Sequence, residues 1–466
     1  MKYCEAKLFL ACYDGQDNSA YVPQFIAHEC VELLFENSVA AKLVNREFDA
    51  QVQDYGDTVK VGKPLDAKIK RRTDTTVAST LNQVASSDYV NVTLNQQFNE
   101  TFTLRPREQS LAMPDLVRIY LKPRMQKIAS GLDRAILGRA ASLLPIAAKR
   151  AGRLNNLTGQ NAYAVMLEAE KILNDAKAPQ DERSLILSSA GKSQMFLCDR
   201  FSKANERGDG GVALKTGILG EILGFDTYLD QNIGAVVTGA DAVVGAVTAA
   251  HAAGGKDDQL ATGVTAAVAG EFAVVAGNDQ PTWIASVDAE GAGFTLNEAN
   301  KYATDAGAAV TVYKAAAVSG AYAAGYAEEI TITGYTVGKA PQIGQLIAFG
   351  TVVRQTYKVI EATDNGASAT ILLDRPLDYA LGDTDAAYPG PYGSLNLAWH
   401  VNGLTLVSRP LAIAHAVGIE FAVADINGLG VRVAMQQKIN EGLVVAIDVL
   451  AGVGVLNQDL VVPVFG

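Results

Sequence analysis

The chain has 466 residues, 49% of them hydrophobic, and a mean hydropathy of +0.11, which allows sizeable cores and points to two or three folding units. A formal net charge of −11 and a pI near 5.0 exclude a dedicated nucleic-acid binder, whose domain would be basic, and leave only local, weak contact with nucleic acid. The apolar run over 8–12 is too short for a secretory segment and no stretch is long and apolar enough to span a bilayer, so synthesis in a cytoplasm without export is expected.

In chain order, Pro23 opens an expected helix over 23–43, with Phe25, Ile26, Leu33, Leu34 and Leu43 apolar and Glu29, Glu32 and Glu36 on its wetter side. Residues 45–107 turn extended and polar, with turns at Gly56-Asp57 and Gly62-Lys63-Pro64. Within them, 89–104 reads as one alternating strand. Val90, Val92, Leu94, Phe98, Phe102 and Leu104 share one parity, and Asn91, Thr93, Asn95, Gln97, Asn99 and Thr101 the other. An arm with one apolar face must lie over another surface. In a monomer that surface is hard to find, so Phe98, Phe102 and Leu104 are expected to pack on a neighbouring subunit.

Pro123 begins a second helix, expected over 123–144, with Met125, Ile128, Leu132, Ile136 and Leu143 on one face. Arg118, Lys122, Arg124, Lys127, Arg134, Arg139, Lys149, Arg150 and Arg153 make this region basic, offset by Asp115 and Asp133. Such a run is by default a solvated face; contact with an acidic neighbour or with packaged DNA is the alternative. An amphipathic helix over 161–176, with Val165, Ala169, Ile172 and Leu173 inward, precedes a strand over 183–188. A glycine-punctuated turn then enters a strand over 225–229, giving an α+β layer.

Charge marks the next module. Between 235 and 391, 7 Lys plus Arg face 17 Asp plus Glu, a net −10 that leaves about −1 for everything else. Its first part, 235–325, is rich in Ala, Gly, Val and Thr. Its second part holds short strands over 330–333, 346–349, 352–360 and 370–374, with turns at Gly344 and Asn365-Gly366, expected to form a small barrel or sandwich. Whether the first part is a second β module or an elaboration of the same one is left open by the sequence. Strands over 395–401, 404–411, 430–435 and 442–450 then resume, expected to close the sheet that the acidic module interrupts.

Four segments carry a resemblance. They are Asn45-Arg-Glu-Phe-Asp with Tyr55-Gly-Asp-Thr-Val-Lys-Val-Gly-Lys-Pro64; the phrase from Gly217 to Ile233, with its Gly224-Phe-Asp-Thr-Tyr228; Asn396-Leu-Ala-Trp-His400 with Leu406-Val-Ser-Arg-Pro-Leu411; and Leu443 to Leu456. In this order, around an insertion, the chain resembles the major capsid (coat) proteins of tailed double-stranded DNA bacteriophages, the HK97 fold, most closely the podoviral lineage with an inserted β-barrel domain. The resemblance implies an α+β fold. It divides the chain into an N-terminal arm and helix (1–44), an extended loop (45–107), a peripheral domain with a spine helix (108–146) and an axial domain (147–234 and 393–466). The acidic inserted β domain (235–392) would face the shell exterior.

What the resemblance implies of function is self-assembly into pentamers and hexamers of an icosahedral head enclosing double-stranded DNA. The implied partners are other copies of the chain, a scaffolding protein, a portal protein at one vertex, packaged DNA by weak non-specific contact and a decoration protein. No membrane is implied, and the implied place is the virion shell, assembled in the host bacterial cytoplasm. Lys70, Arg71 and Arg72 are expected to pair charges between capsomers. The insertion is long for the family, and its first half has no clear counterpart there. With the first core helix starting near Pro23, no helical scaffolding prodomain is expected. An encapsulin-like nanocompartment shell and an adhesin-like surface β protein are the alternative readings.

Catalytic chemistry finds little support. Gly208-Asp-Gly-Gly-Val-Ala-Leu-Lys-Thr216 superficially suggests a phosphate loop, but Leu214 stands before Lys215 where backbone approach needs glycine. Cys4, Cys12, Cys30 and Cys198 lack metal-site spacing, and His28, His251, His400 and His415 are isolated from plausible metal partners in sequence, so no metal, no cofactor and no enzyme activity is expected. Lysine to asparagine crosslinking would need a lysine in the extended loop; Lys68 and Lys70 are available there, and none is expected to react.

Overall fold

A computed structural model describes residues 23–46, 58–63, 88–105, 117–141, 151–154, 162–203, 215–233, 242–247, 250, 259–262, 267–276, 282–287, 293–296, 304–324, 328–350, 355–390, 394–411, 419–426, 428–438 and 442–465. Helix α1 (Pro23–Asn37) buries Ile26, Ala27, Cys30, Val31, Leu33 and Leu34. It stops short of the expected residue 43 because polar side chains turn back on it: Asn37 Nδ2 donates to the Leu33 carbonyl at 2.6 Å and Ser38 Oγ to that of Phe35 at 3.2 Å. A short 3-10 turn (Ala40–Lys42) follows.

Strands β1 (Thr58–Lys63) and β2 (Asp88–Thr93) pair antiparallel, and β3 (Gln96–Leu104) follows. The single strand expected over 89–104 thus breaks at Leu94 and Asn95, and its two halves take different partners. Helix α2 (Lys122–Ala141) is led in by a π turn (Val117–Leu121) and buries Met125, Ile128, Leu132 and Ile136, the face that periodicity predicted. Then come β4 (Gly152–Arg153), α3 (Ala162–Asp175), β5 (Arg183–Leu187), α4 (Ser189–Leu197), α5 (Asp199–Ser202), β6 (Glu221–Ile222) and β7 (Phe225–Leu229). Ser188 caps α4 by accepting the Gly191 N–H at 2.9 Å.

The acidic stretch folds into two barrels. β8 (Ala242–Val247), β9 (Gln259–Thr262), β10 (Phe272–Val275), β11 (Thr282–Val287), β12 (Gly293–Leu296) and β13 (Ala309–Tyr313) close in the order β10-β11-β12-β9-β8-β13. β14 (Ala316–Val318), β15 (Glu329–Thr333), β16 (Leu346–Phe349), β17 (Gln355–Asp364), β18 (Ser368–Leu373) and β19 (Ala386–Pro389) close in the order β14-β15-β18-β17-β16-β19. The question left open by the sequence is answered: its Ala/Gly-rich half is a barrel of its own, filled by Val275, Ile284, Phe294, Leu296, Val310 and Val312. Closure removes the exposed edges that short strands of small residues would otherwise present. Phe272, Trp283 and Tyr313 of the first barrel pack on Ala348 and Tyr388 of the second, and buried Glu271 accepts N–H groups of Val268 and Ala315, each at 3.0 Å.

The chain then returns as β20 (Leu395–His400), β21 (Leu404–Arg409), β22 (Glu420–Ile426), β23 (Leu429–Lys438), β24 (Gly442–Val455) and β25 (Val461–Phe465). The expectation that these strands complete one sheet is corrected, because they divide between two. β20 and β25 join the sheet β4-β25-β20-β5-β7-β6, so the strands flanking the barrels, β7 and β20, both lie against β5. β21, β24, β23 and β22 form a second sheet, and β3 adds to it along β24.

That addition also corrects the reading of the arm. Phe98, Phe102 and Leu104 lie opposite Val449, Val445 and Leu443 of the same chain. Phe102 and Leu104 are 8% and 4% exposed, within a core shared with α1 and α2, and Phe98 packs against it. The stripe thus lies beside the apolar residues of this chain's own β24 and is covered, with them, by helices α1 and α2. Gly442 sets the end of the pairing: its φ is +103°, and a Cβ there would collide with the Leu104 carbonyl oxygen. Gly442→Ala is expected to cost at least about 1–3 kcal/mol from backbone strain alone and to free β3 at its C-terminal end, read as faster amide exchange across 96–104 than across 429–438.

Candidate functional site

Helix α2 is where the modules meet. Ser130, Arg134 and Gly138, four residues apart, share one face. Ser130 Oγ lies 2.5 Å from Asn232 Oδ1, just beyond β7, where the chain leaves for the barrels. The amine of Lys358, on β17, donates to the Asn232 carbonyl at 3.2 Å. The Lys358 backbone N–H donates to Asp374 Oδ1 at 3.2 Å. Helix, strand exit and second barrel are thus tied at one place.

The centre of this joint is Arg375, 2% exposed. Its guanidinium lies 3.2 Å from Asp378 and 3.6 Å from Asp374, and over the Tyr357 ring at 4.2 Å. Asp378 also receives Arg139 of α2 at 2.9 Å, and its backbone N–H donates to the Tyr357 hydroxyl at 2.7 Å. Gly138 lets the arrangement close, since a Cβ there would run into Arg375 Nη1 and come within 3.1 Å of Asp374 Oδ2.

Burial and charge oppose each other here. Burial alone would raise Asp378, but Arg375 and then Arg139 hold its carboxyl below the usual range. Burial likewise opposes the charge on Arg375, and Asp378 and Asp374 more than offset it. Asp374 goes the other way: burial raises it despite Arg375, in keeping with the longer 3.6 Å separation. The firm ion pairs are therefore those of Asp378. Lys358 is lowered by burial and then by Arg134.

One turn along from Ser130, α2 also presents Asp133, 1% exposed, which accepts the N–H groups of Val39 at 2.8 Å and Ala41 at 3.1 Å and so fixes the turn after α1. The default reading of the helix as a solvated basic face is corrected for Arg139, which is committed to the barrel; Arg118, Lys122 and Lys127 are exposed. Lys70, Arg71 and Arg72 lie outside the described residues.

None of Asp133, Asp230, Lys358, Asp374, Arg375 and Asp378 was singled out as a site from sequence. One signal was available: Asp374-Arg375-Pro-Leu-Asp378 sets a lone arginine among carboxylates directly after an apolar strand, inside an acidic module. Among the described residues no group of three or more His, Cys, Asp or Glu is placed to hold a metal ion. Exposed apolar side chains lie elsewhere, among them Ile218, Tyr228 and Leu229 at and before β7, Val244 and Val268 in the first barrel, and Val337 and Ile343 in the second.

No family model matches the chain, and no curated protein matches it. Solved structures similar to it include one described as Mycobacterium phage Che8, at 12% identity and a TM-score of 0.40, covering 92% of this chain and 90% of that one. Another is the capsid structure of the cyanophage P-SCSP1u, at 7% identity and a TM-score of 0.40, covering 88% and 84%. A third is the mature capsid asymmetric unit of bacteriophage PhiM1, at 10% identity and a TM-score of 0.38, covering 89% and 83%.

Proposed function

We propose that the chain is a structural protein, the major capsid protein of a tailed double-stranded DNA bacteriophage, and not an enzyme. The observation that carries this is the interruption of one sheet, between β7 and β20, by a tandem of closed barrels. The interruption lies between the second and third of the four resembling segments, which supports that reading.

The geometry suits a building block. An arm strand paired with β24 and a helix joined to the second barrel by the Arg139–Asp378 ion pair make a subunit that can transmit contact forces rather than deform. Repeated head-to-tail contacts between such subunits close rings, here proposed as pentamers and hexamers of an HK97-type icosahedral shell. The apolar residues around β7 and on the second barrel supply contact surface that the arm stripe does not. Lys70, Arg71 and Arg72 are proposed to pair charges between capsomers. The barrels carry nearly all the net negative charge, which favours an outward position where shells repel one another. Scaffolding protein, a portal at one vertex, a decoration protein and weakly held DNA are the proposed partners, with assembly in the host bacterial cytoplasm.

Electron microscopy of the protein from expressing cells, after separation by size on a gradient, is expected to show icosahedral shells with surface projections. A monomer or small oligomer that persists when a scaffolding protein is supplied would overturn the proposal.

A further inference from the structure

The two barrels of the acidic module share one topology. With strands counted within each barrel, the neighbours run 1-2-5-4-3-6 around both rings, and strand 6 closes on strand 1. The likeness extends to detail. In each barrel the pairing of strands 4 and 5 slips by one residue, between Ile284 and Ser286 or between Val359 and Glu361. In each, a glycine at positive φ, Gly270 or Gly344, precedes a buried side chain, Glu271 or Gln345. That side chain accepts the N–H three residues back, from Val268 or Gln342, at 3.0 Å. The turn into strand 6 passes through positive φ at Gly307 in one and at Thr384 in the other. Such agreement marks a tandem repeat.

Matched position by position, the repeats stack head to tail. Phe272 pairs with Trp283, and Leu346 with Lys358, at the same place in the two barrels. Phe272 and Trp283, with Tyr313, share a core with Ala348 and Tyr388 of the second barrel. Leu346 in turn joins the core that holds Leu132 and Trp399, and the Lys358 amine donates to the Asn232 carbonyl at 3.2 Å. Each barrel thus directs the same face, its plug, toward the body. The first barrel's plug seats on the second barrel, and the second barrel's on the joint with α2.

The socket that receives the first plug comprises Ala315, Ala348, Ala386 and Tyr388. Glu271, beside the plug, accepts the Ala315 N–H there at 3.0 Å. Strand register fixes the matching positions on the first barrel as Val244, Val274, Ala309 and Thr311. Val244 is 64% exposed, and Ala309 is exposed beside it. Stacked repeats need a polar outer face on the last member, whereas this stack ends on valine and alanine.

We propose that this open socket on the first barrel is a docking surface for a separate protein whose β module presents a plug of the same chemistry, aromatic side chains beside a hydrogen-bond acceptor. Plug on socket is a heterologous contact, and a linear series of such contacts leaves one socket unfilled at its end. A second copy of the chain cannot fill it with its own plugs, because both are already seated. Aromatic anchors in such a seat carry most of the energy of an interface. The inference rests on the barrels alone and holds whether or not the chain forms a shell.

A chain in which residues 242–314 occur twice supplies the plug as a probe, its first copy running into Val244 of the second as Lys314 now runs into Ala315. Thr311→Cys in the second copy is expected to lose the alkylation that it shows in the unextended chain, because the matching Tyr388 is only 3% exposed under its plug. Mass spectrometry of that peptide gives the readout. Unchanged alkylation, with tryptophan emission showing the added barrel folded, would overturn the proposal. Should the longer chain fail to fold, two variants of the unextended chain decide. Ala348→Lys, at a site 2% exposed in the filled socket, is expected to unseat the first barrel and shift tryptophan emission to the red, while Val244→Lys leaves emission unchanged. Equal shifts would mean that the first barrel has no open socket, and would overturn the proposal as well.

Discussion

Arg375→Met is expected to weaken the attachment of the second barrel by about 3–5 kcal/mol, the usual cost of removing one partner from a buried ionic cluster. Arg375 is 2% exposed, so the loss is not made good by water, and methionine takes from Asp378 the guanidinium at 3.2 Å and from Asp374 the one at 3.6 Å. Asp378 keeps Arg139 at 2.9 Å, which limits the damage to one side of the joint. The double variant Asp374→Leu, Arg375→Met should be milder than the single one, because a neutral pair of similar bulk carries no uncompensated charge. Urea unfolding followed by fluorescence checks this. With a slope of about 1–3 kcal/mol per molar, the transition that includes the barrels should move down by about 1 M or more in the single variant. Equal midpoints for wild type and Arg375→Met would show that the cluster is not what holds the barrel to the helix.

How much of this was legible in the sequence depends on whether a feature is local. The faces of α2 and α3 followed from periodicity, since Met125, Ile128, Leu132 and Ile136, or Val165, Ala169, Ile172 and Leu173, repeat at helical spacing and are buried, and strand β7 followed from the glycine turn that enters it. The barrel of the Ala/Gly-rich half was not legible, because small residues blur the alternation between inward and outward positions. Strand pairing was not legible either. β20 and β21 are similar apolar runs separated by a three-residue turn, yet one joins β5 and the other β24. The arm shows the same limit: its apolar parity was right, but only the register with β24 reveals that the stripe is covered at home. The joint draws on residues near 130–139, 230–232, 358 and 374–378, far apart in the chain. Each is polar, and each alone reads as a solvated side chain.

Trp399→Ala is expected to be the most damaging core truncation, costing about 3–5 kcal/mol for the lost ring and the cavity, with about 1–3 kcal/mol more for the acceptor left behind. Trp399 is fully buried on β20, in a core that gathers Ala40 and Ala41 of the turn after α1, Leu132 and Ile136 of helix α2, and Leu404 and Leu406 at the start of the second sheet. Its Nε1–H donates to the Leu43 carbonyl at 3.0 Å, which ties down the chain before Asn45 pairs with Thr405. Trp399→Phe separates the two contributions: it keeps most of the packing and loses the hydrogen bond, and should cost about 1–3 kcal/mol. Soluble yield and urea midpoints of the two variants provide the check. If alanine and phenylalanine cost the same, the hydrogen bond to Leu43 governs the site; if both are near neutral, the two sheets and the helix do not depend on this ring, and the core at their junction must be held by its aliphatic side chains alone.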